Sequence, residues 1–472
     1  MSRDARPDPR LVAPIPGERG RRVSYWTVVG AQLRKNRSAM FAWGCVKTLI
    51  LLGTAAPLVA FNVPILHVAD GRVRLPLLHG LFDRRLFANG VDVFFNFLLV
   101  CGPLWLLSAR AARAAFAGGA GGSVWARGWR LGLAGSVLLV EFLAAAGGDT
   151  ALRAAVLAAT VGAVILVAEV RRTARGDASR RRFAVWSLVI LLLGGMSFVF
   201  GREKETSSWA EWRGPNAVPT SFAVFPPVPY HPDNVGDATG LDRALENRPS
   251  GSNWLGCDPN GRDVLARILF GIRISLTIGL VGVSIYLFIG IVLGSLAGYY
   301  GGKADLFIMR LVEVMICFPT MFLLLTIIAV FDSRSIFLIM AAIGLVGWPG
   351  VTRLVRGEFL RQRNLDYVTA ARSQGLPQRR IIFGHVLPNC MGPVLVSATF
   401  GIAGAILTES GLAFLGLGDT SAVSWGQMLS TGRSTLQWHL ILAPGVAIFF
   451  VMVVFNLLGE GLRDALDPKL RR

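Results

Sequence analysis

Apolar residues in this chain gather into long runs broken by short polar stretches, so neither strand alternation nor the stripe of a half-exposed helix dominates the pattern. Ten runs reach or approach the length that crosses a hydrocarbon core, several needing tilt or slightly different limits. They lie near residues 40–61, 91–108, 131–146, 152–168, 183–200, 274–296, 311–331, 336–351, 393–417 and 440–458. Gly147, Gly148 and Asp149 divide the third run from the fourth, and the two are also readable as one re-entrant pair. A backbone surrounded by lipid must satisfy its own polar groups, which makes each run a helix and the chain an all-α polytopic membrane protein.

Two polar segments stand out between the runs. Residues 201–267 are rich in Pro, Asn, Asp and Gly around Phe225-Pro-Pro-Val-Pro-Tyr-His-Pro232, which predicts extended backbone. Residues 364–389 read instead as two small helices broken at Gly375. The first, from Asp366 to Gln374, sets Tyr367, Ala370, Ala371 and Gln374 on one side at three- and four-residue spacing. Gly375 suits a left-handed helix stop, and Pro377 suits the first turn of the second helix, which runs towards Pro388 with Ile381, Ile382 and His385 close together. Small alanines and many arginines outside the bilayer give this elbow the character of a docking element.

Composition agrees: 53% of the 472 residues are hydrophobic and 16% charged, too few charges for a soluble fold of this size. The net charge of +19 is spread between runs and not gathered on one soluble face, so it reads as a topology signal and argues against nucleic-acid binding. Basic loops stay on the cytoplasmic side. Arg19, Arg21, Arg22, Arg34, Lys35 and Arg37 therefore place the N-terminus inside, and ten crossings place residues 353–380 and the tail 463–472 there too. The first apolar run starts only after 39 residues, which suits an uncleaved anchor better than a signal peptide. Cys45, Cys101, Cys257, Cys317 and Cys390 lack metal or redox spacing and read as packing residues.

Within the elbow, Ala370, Ala371, Gly375, Ile381, His385 and Pro388 fall into a Glu-Ala-Ala, Gly, apolar, His, Pro order, with Thr369 in place of the Glu. This order resembles the cytoplasmic loop of the permease subunits of binding-protein-dependent ABC importers. A second block, Leu255-Gly-Cys-Asp258, Gly261-Arg-Asp263 and Gly271-Ile-Arg273-Ile-Ser275-Leu, resembles the entry to the C-type permeases of dipeptide and oligopeptide importers, with Cys257 where Thr is usual. Further matches follow in the same order: Gly298-Tyr-Tyr-Gly-Gly-Lys303-Ala-Asp305, Phe318-Pro319, Glu409 to Gly418, Ser424-Trp425-Gly426, and Asp464-Ala-Leu-Asp467-Pro468. Several ordered motifs are much more specific than any one of them. Residues 64–82 and the Pro-rich stretch look most like the Yej-type peptide permease.

The resemblance implies a multi-pass subunit of the bacterial inner membrane, with both termini cytoplasmic, carrying peptides or peptide-like solutes. Its implied partners are a second permease in a heterodimer, two cytoplasmic ATPase subunits holding ATP and Mg, an exported substrate-binding protein and membrane lipid. This chain itself would bind no cofactor and do no covalent chemistry. Alternating access would follow, with ATP-driven closure moving the docked elbow and the attached spans. The expected organisation is a basic N-terminus (1–39), a first core span (40–61), an exported segment (62–90), an inserted four-span segment (91–200), the exported Pro-rich segment (201–267), a five-span core (268–460) with the coupling loop (352–390), and a cytoplasmic tail (461–472). The insert is foreign to the family; its even number of crossings returns the chain to the compartment it left. A lateral packing surface or a contact for lipid or an accessory protein would each explain it.

Other candidate chemistry is thinner. The segment 298–303 looks like a phosphate loop, but Ala297 and Ala304 stand where the motif needs Gly and Ser/Thr, and no strand precedes it. His231 and His439 lack ligand partners at useful spacing and read as structural. Glu141, Glu313 and Glu409 are carboxylates within spans, costly unless they face protein or water. Glu313, Pro319 and Glu409 are candidates to line a pathway; a carboxylate bonded to neighbouring helices is the competing reading. Pro319 and Pro349 predict breaks in helical regularity. A membrane-embedded enzyme would need paired catalytic groups where the sequence has single carboxylates, and a scaffold, a receptor, or a permease for nickel complexes or sugars is the alternative function.

Overall fold

The computed structural model describes residues 25–99, 222–233 and 248–466, less short breaks at 70–71, 78–80, 82–86, 88, 252, 332–333 and 420. It opens on α1 (Tyr25–Lys35) and α2 (Arg37–Val59). Between them the Asn36 side chain accepts the Ala39 N–H at 3.2 Å and caps α2. Part of the basic lead expected to precede the first span is therefore helical.

Three short strands add a small sheet to the helical class. β1 (Leu66–Ala69) pairs antiparallel with β2 (Arg72–Arg74) and, on its other edge, with β3 (Phe222–Val224). The Pro-rich stretch continues from β3 as extended chain. Phe61 N–H donates to Val228 O at 3.0 Å and Val228 N–H to Val59 O at 2.9 Å. Helix α3 (Gly90–Leu99) starts the second predicted span. The rest of that span, the three after it, Glu141 and Cys101 lie outside the described residues.

The remaining helices are α4 (Val264–Tyr300), α5 (Gly302–Cys317), α6 (Thr320–Phe331), α7 (Ile336–Gln362), α8 (Asp366–Ser373), α9 (Gln378–Ile381), α10 (Leu387–Phe414), α11 (Trp425–Thr435) and α12 (Trp438–Leu466). Among the described residues five helical stretches are long and apolar enough to cross a membrane: α2, α4, α7, the continuous run Gln378–Phe414, and α12. The pair α5 and α6 makes six if counted as one span. The run expected as a single span at 311–331 is thus two helices meeting at 85°. Pro319 has no N–H to offer and holds Phe318 in extended backbone (φ −88°, ψ 130°), so the helix stops there. Pro349, by contrast, lies inside α7, which runs unbroken to Gln362.

Glycines bring α4 and α7 together. A Cβ on Gly290 would lie 2.6 Å from Val351 Cβ, on Gly294 2.7 Å from Val355 Cβ, and on Gly298 2.5 Å from Phe359 Cβ. Bare backbone at these turns lets the two helices approach as lipid-embedded helices do when small residues face each other.

The start of α4 is held by the motifs that precede it. Asp263 caps the helix, accepting from Ala266 N–H at 2.7 Å and from Asn253 Nδ2 at 2.8 Å. Asp258 folds the preceding turn by accepting from Asn260 N–H, Arg262 N–H and Arg262 Nε. One turn into its apolar run, Arg273 is wholly buried and directs its guanidinium at four residues. Its Nε donates to Gly53 O (2.6 Å), Nη1 to Asp92 Oδ1 (3.1 Å), and Nη2 to Asn96 Oδ1 (2.9 Å) and Thr54 O (3.3 Å). Phe95 and Phe270 cover its faces at 5.5 and 5.0 Å.

These contacts fix the sides of the bundle. The end of α2 meets the start of α4 through Arg273, together with the sheet. The start of α2 meets the end of α12 on the opposite side, where Asn36 Nδ2 donates to Asp464 Oδ2 at 3.3 Å and Ala39 packs on Gly461.

Candidate functional site

The elbow lies on the side shared by the start of α2 and the end of α12, because Arg372 of α8 stacks on Tyr299 near the end of α4, at 5.3 Å. Helix α8 begins after Leu365, with Asp366 in its first turn, where a carboxylate complements the helix dipole. It ends as predicted at Gly375, whose φ of +70° is the left-handed stop. Gly375 N–H reaches Arg372 O at 2.9 Å and Leu376 N–H reaches Ala371 O at 3.3 Å, satisfying carbonyls that the helix end would orphan.

Pro377 is the N-cap of α9, one position before the first turn expected for it. The second helix does not finish towards Pro388 either. It passes through a π turn, Ile382–Val386, into α10, and Pro388 sits in the first turn of that long helix. Likewise, 352–362 of the expected coupling loop are the last turns of α7.

The predicted face of α8 splits. Tyr367, Val368 and Ala371 turn inward, Val368 fully buried and Ala371 6% exposed, while Ala370 and Gln374 are exposed. An apolar, β-branched Val368 in a polar run was the signal for the true buried edge. Ile381 is buried, Tyr367 and His385 are half-buried, and Thr369, Ala370, Gly375 and Pro388 are exposed. So Ala371 and Ile381 hold the elbow in place, and Thr369, Ala370, Gly375 and Pro388 form the surface it offers. Phe383, one turn before Leu387, is exposed as well, as are Arg379 and Arg380.

Contacts unseen in the sequence seat the elbow. Tyr367 donates its hydroxyl to Gln362 Oε1 at 2.8 Å, and burial raises its pKa, keeping the proton on the donor. Arg363 Nη1 donates to Gly298 O at 3.1 Å. Arg356 grips Asp305 with two parallel bonds, Nη2 to Oδ2 at 2.7 Å and Nε to Oδ1. The segment that looked like a phosphate loop is the reversal between α4 and α5. Gly301 and Gly302 stand there at φ +66° and +54°, and a 37-residue helix precedes it.

The other sequence candidates fall elsewhere. Glu313 is exposed and pairs with Arg310 at 2.6 Å, and Pro319 is exposed at the α5–α6 bend. Glu409 is 2% exposed and accepts from Ser410 Oγ at 3.4 Å. His439 is buried with Nε2 3.1 Å from Cys257 O, tying α12 to the loop before α4. His231 is packed among Phe61, Phe87 and Phe270 and accepts Asp233 N–H. The Cys257 thiol is pushed up to about 12, mainly by burial and then by Asp263 and Asp258, which leaves it unreactive. Among the described residues no three His, Cys, Asp or Glu side chains come close enough to hold a metal ion.

Comparison with known proteins follows the same elements. Residues 290–472, from the middle of α4 onward, match the binding-protein-dependent transport system inner membrane component family. The chain is 43% identical over 225 residues to the oligopeptide transport system permease protein OppC of Haemophilus influenzae, covering 47% of this chain and 72% of that one. It is 41% identical over 247 residues to the glutathione transport system permease protein GsiD of Pectobacterium atrosepticum, covering 52% and 80%. With the probable D,D-dipeptide transport system permease protein DdpC of Escherichia coli it shares 36% identity over 288 residues, covering 60% and 87%.

Proposed function

Since this chain belongs to the binding-protein-dependent transport system inner membrane components, as a permease subunit of a peptide importer, we propose that its elbow, residues 364–389, is the seat of a cytoplasmic ATPase. The protein is a transport subunit of the inner membrane and not an enzyme. The observation that carries the proposal is the division of labour in the elbow: Val368, Ala371 and Ile381 are buried against the bundle while Thr369, Ala370, Gly375 and Phe383 are exposed.

In this reading that side is cytoplasmic, with both termini, and the sheet and Pro-rich stretch face the exported binding protein. A second permease completes the pathway, ATP and Mg reside in the ATPase subunits, and the cargo is a short peptide or a peptide-like solute, as the relatives' names suggest. Binding of ATP closes the ATPases, the elbow moves with them, and the spans attached to it tilt. A scaffold or receptor, or a carrier of nickel complexes or sugars, finds no support among these relatives.

Ala370→Trp tests the surface, because Ala370 is exposed and the chain's own fold tolerates the larger side chain there. The expected result is normal membrane insertion with loss of ATPase co-purification and of binding-protein-stimulated hydrolysis in reconstituted complexes. Undiminished co-purification and hydrolysis with Ala370→Trp would refute the docking role.

A further inference from the structure

We propose that the α4–α5 reversal, residues 298–305, is a positioning element that hands movement of the elbow to the bent pair α5 and α6. The inference rests on the docking role proposed for the elbow and adds the route by which its displacement enters the membrane.

Three arginines from the elbow side converge on this one turn, each on a different chemical handle. Arg372 stacks on the Tyr299 ring, Arg363 donates to the Gly298 carbonyl, and Arg356 grips the Asp305 carboxylate. Arg356 comes from the last turns of α7, Arg363 is the residue that caps that helix and leads towards α8, and Arg372 comes from α8 itself. Gly301 and Gly302 both occupy left-handed backbone, and a Cβ on Gly301 would sit 3.0 Å from Arg363 Nη1, so the arginine nests against bare backbone. Displacement of Arg356 reaches Asp305 directly through their ion pair, without passing through the two glycines.

Asp305 lies in the first turn of α5, so force on its carboxylate acts at the end of a stiff rod. That 16-residue rod spans about 24 Å at the helical rise per residue before the bend at Phe318 and Pro319. The described residues hold the pair lightly: Ile308 and Val312 of α5, and Leu324 and Ile328 of α6, are the buried positions among them. A rod gripped at one end, hinged at the other and loosely packed between has the mechanics of a transmitting arm.

The test uses the complete complex in vesicles, with spin labels at exposed Phe322 on α6 and exposed Leu345 on α7, with and without vanadate trapping of the ATPases. The unsubstituted elbow is expected to give a vanadate-dependent change in the label distance. Asp305→Arg or Arg356→Asp should still co-purify with the ATPase and still be trapped, yet the displaced population should fall about tenfold, a middling value for energetic coupling between sites. The exchange Asp305→Arg with Arg356→Asp should restore it. If Asp305→Arg fails to accumulate, Arg363→Leu, which removes the donor to Gly298 O, probes the same clamp and should reduce the displacement. Full displacement in the single variants, or no recovery in an exchanged pair that assembles normally, would overturn the inference. Absence of ATPase from the unsubstituted complex would instead sink the docking role beneath it.

Discussion

Removing the Asp92 carboxylate should unseat the permease from within, without touching elbow or pathway. Arg273 is fully buried, and each of its three nitrogens donates to an acceptor: the end of α2 supplies two carbonyls, and α3 supplies the Asp92 carboxylate and the Asn96 amide oxygen. Asp92→Ala removes the paired carboxylate from a cation walled by Phe95 and Phe270 and leaves Nη1 the Asp92 main-chain carbonyl at 3.3 Å. Breaking such a pair by deleting one partner costs roughly 3–5 kcal/mol, and because Asp92 keeps 17% of its side chain exposed the lower end, about 3 kcal/mol, applies. Asn96→Leu removes one acceptor, while Thr54 O still faces the same nitrogen, and also the Nδ2 donor to Leu81 O at 2.7 Å, so about 2–3 kcal/mol is expected. Unfolding by dodecyl sulfate in mixed micelles, followed by labelling of the buried Cys390 thiol, reads both values. Combining Arg273→Met with Asp92→Leu should cost less than the sum of the single changes, since no orphaned charge remains. If Asp92→Ala lies within about 0.5 kcal/mol of the parent protein, or the double variant is additive, the ion pair contributes no such stability.

Two further substitutions probe packing. Gly294→Leu should prevent the close approach of α4 and α7, since even a Cβ would meet Val355 Cβ at 2.7 Å, and should abolish accumulation of folded protein in membrane fractions. Gly271→Ala should collide with the Trp425 indole nitrogen, which donates to Ile268 O at 3.0 Å. Intrinsic tryptophan fluorescence should report a displaced Trp425 and the same labelling assay a loss of about 1–3 kcal/mol; unchanged spectra and stability would show that the pocket yields.

Much of this architecture was legible because lipid imposes one rule on every residue that crosses it. Long apolar runs named the six core spans, and Gly375 named the break in the elbow, since a left-handed stop has few other occupants. Boundaries were less legible. Helix α4 continues on both sides of residues 274–296, and α7 runs beyond 351, because helical hydrogen bonding does not end where hydrophobicity does. Pro319 breaks its helix and Pro349 does not, although the two prolines carry the same local chemistry. The buried edge of α8 was not legible from its alanines, since alanine suits either side of a helix, whereas Val368 does not. Pairings such as Arg356 with Asp305, or Arg273 with Asp92, join residues far apart in sequence, and only the fold reveals them.

The antiparallel rungs between Leu66–Ala69 and Phe222–Val224 carry a last consequence. They clasp the two ends of the long intervening excursion side by side, as a buckle closes a strap. Lengthening a loop whose ends are already joined adds only about 0.6 kcal/mol of closure entropy per doubling. The excursion can thus be lengthened or trimmed at small entropic cost while the helices beside it keep their shape.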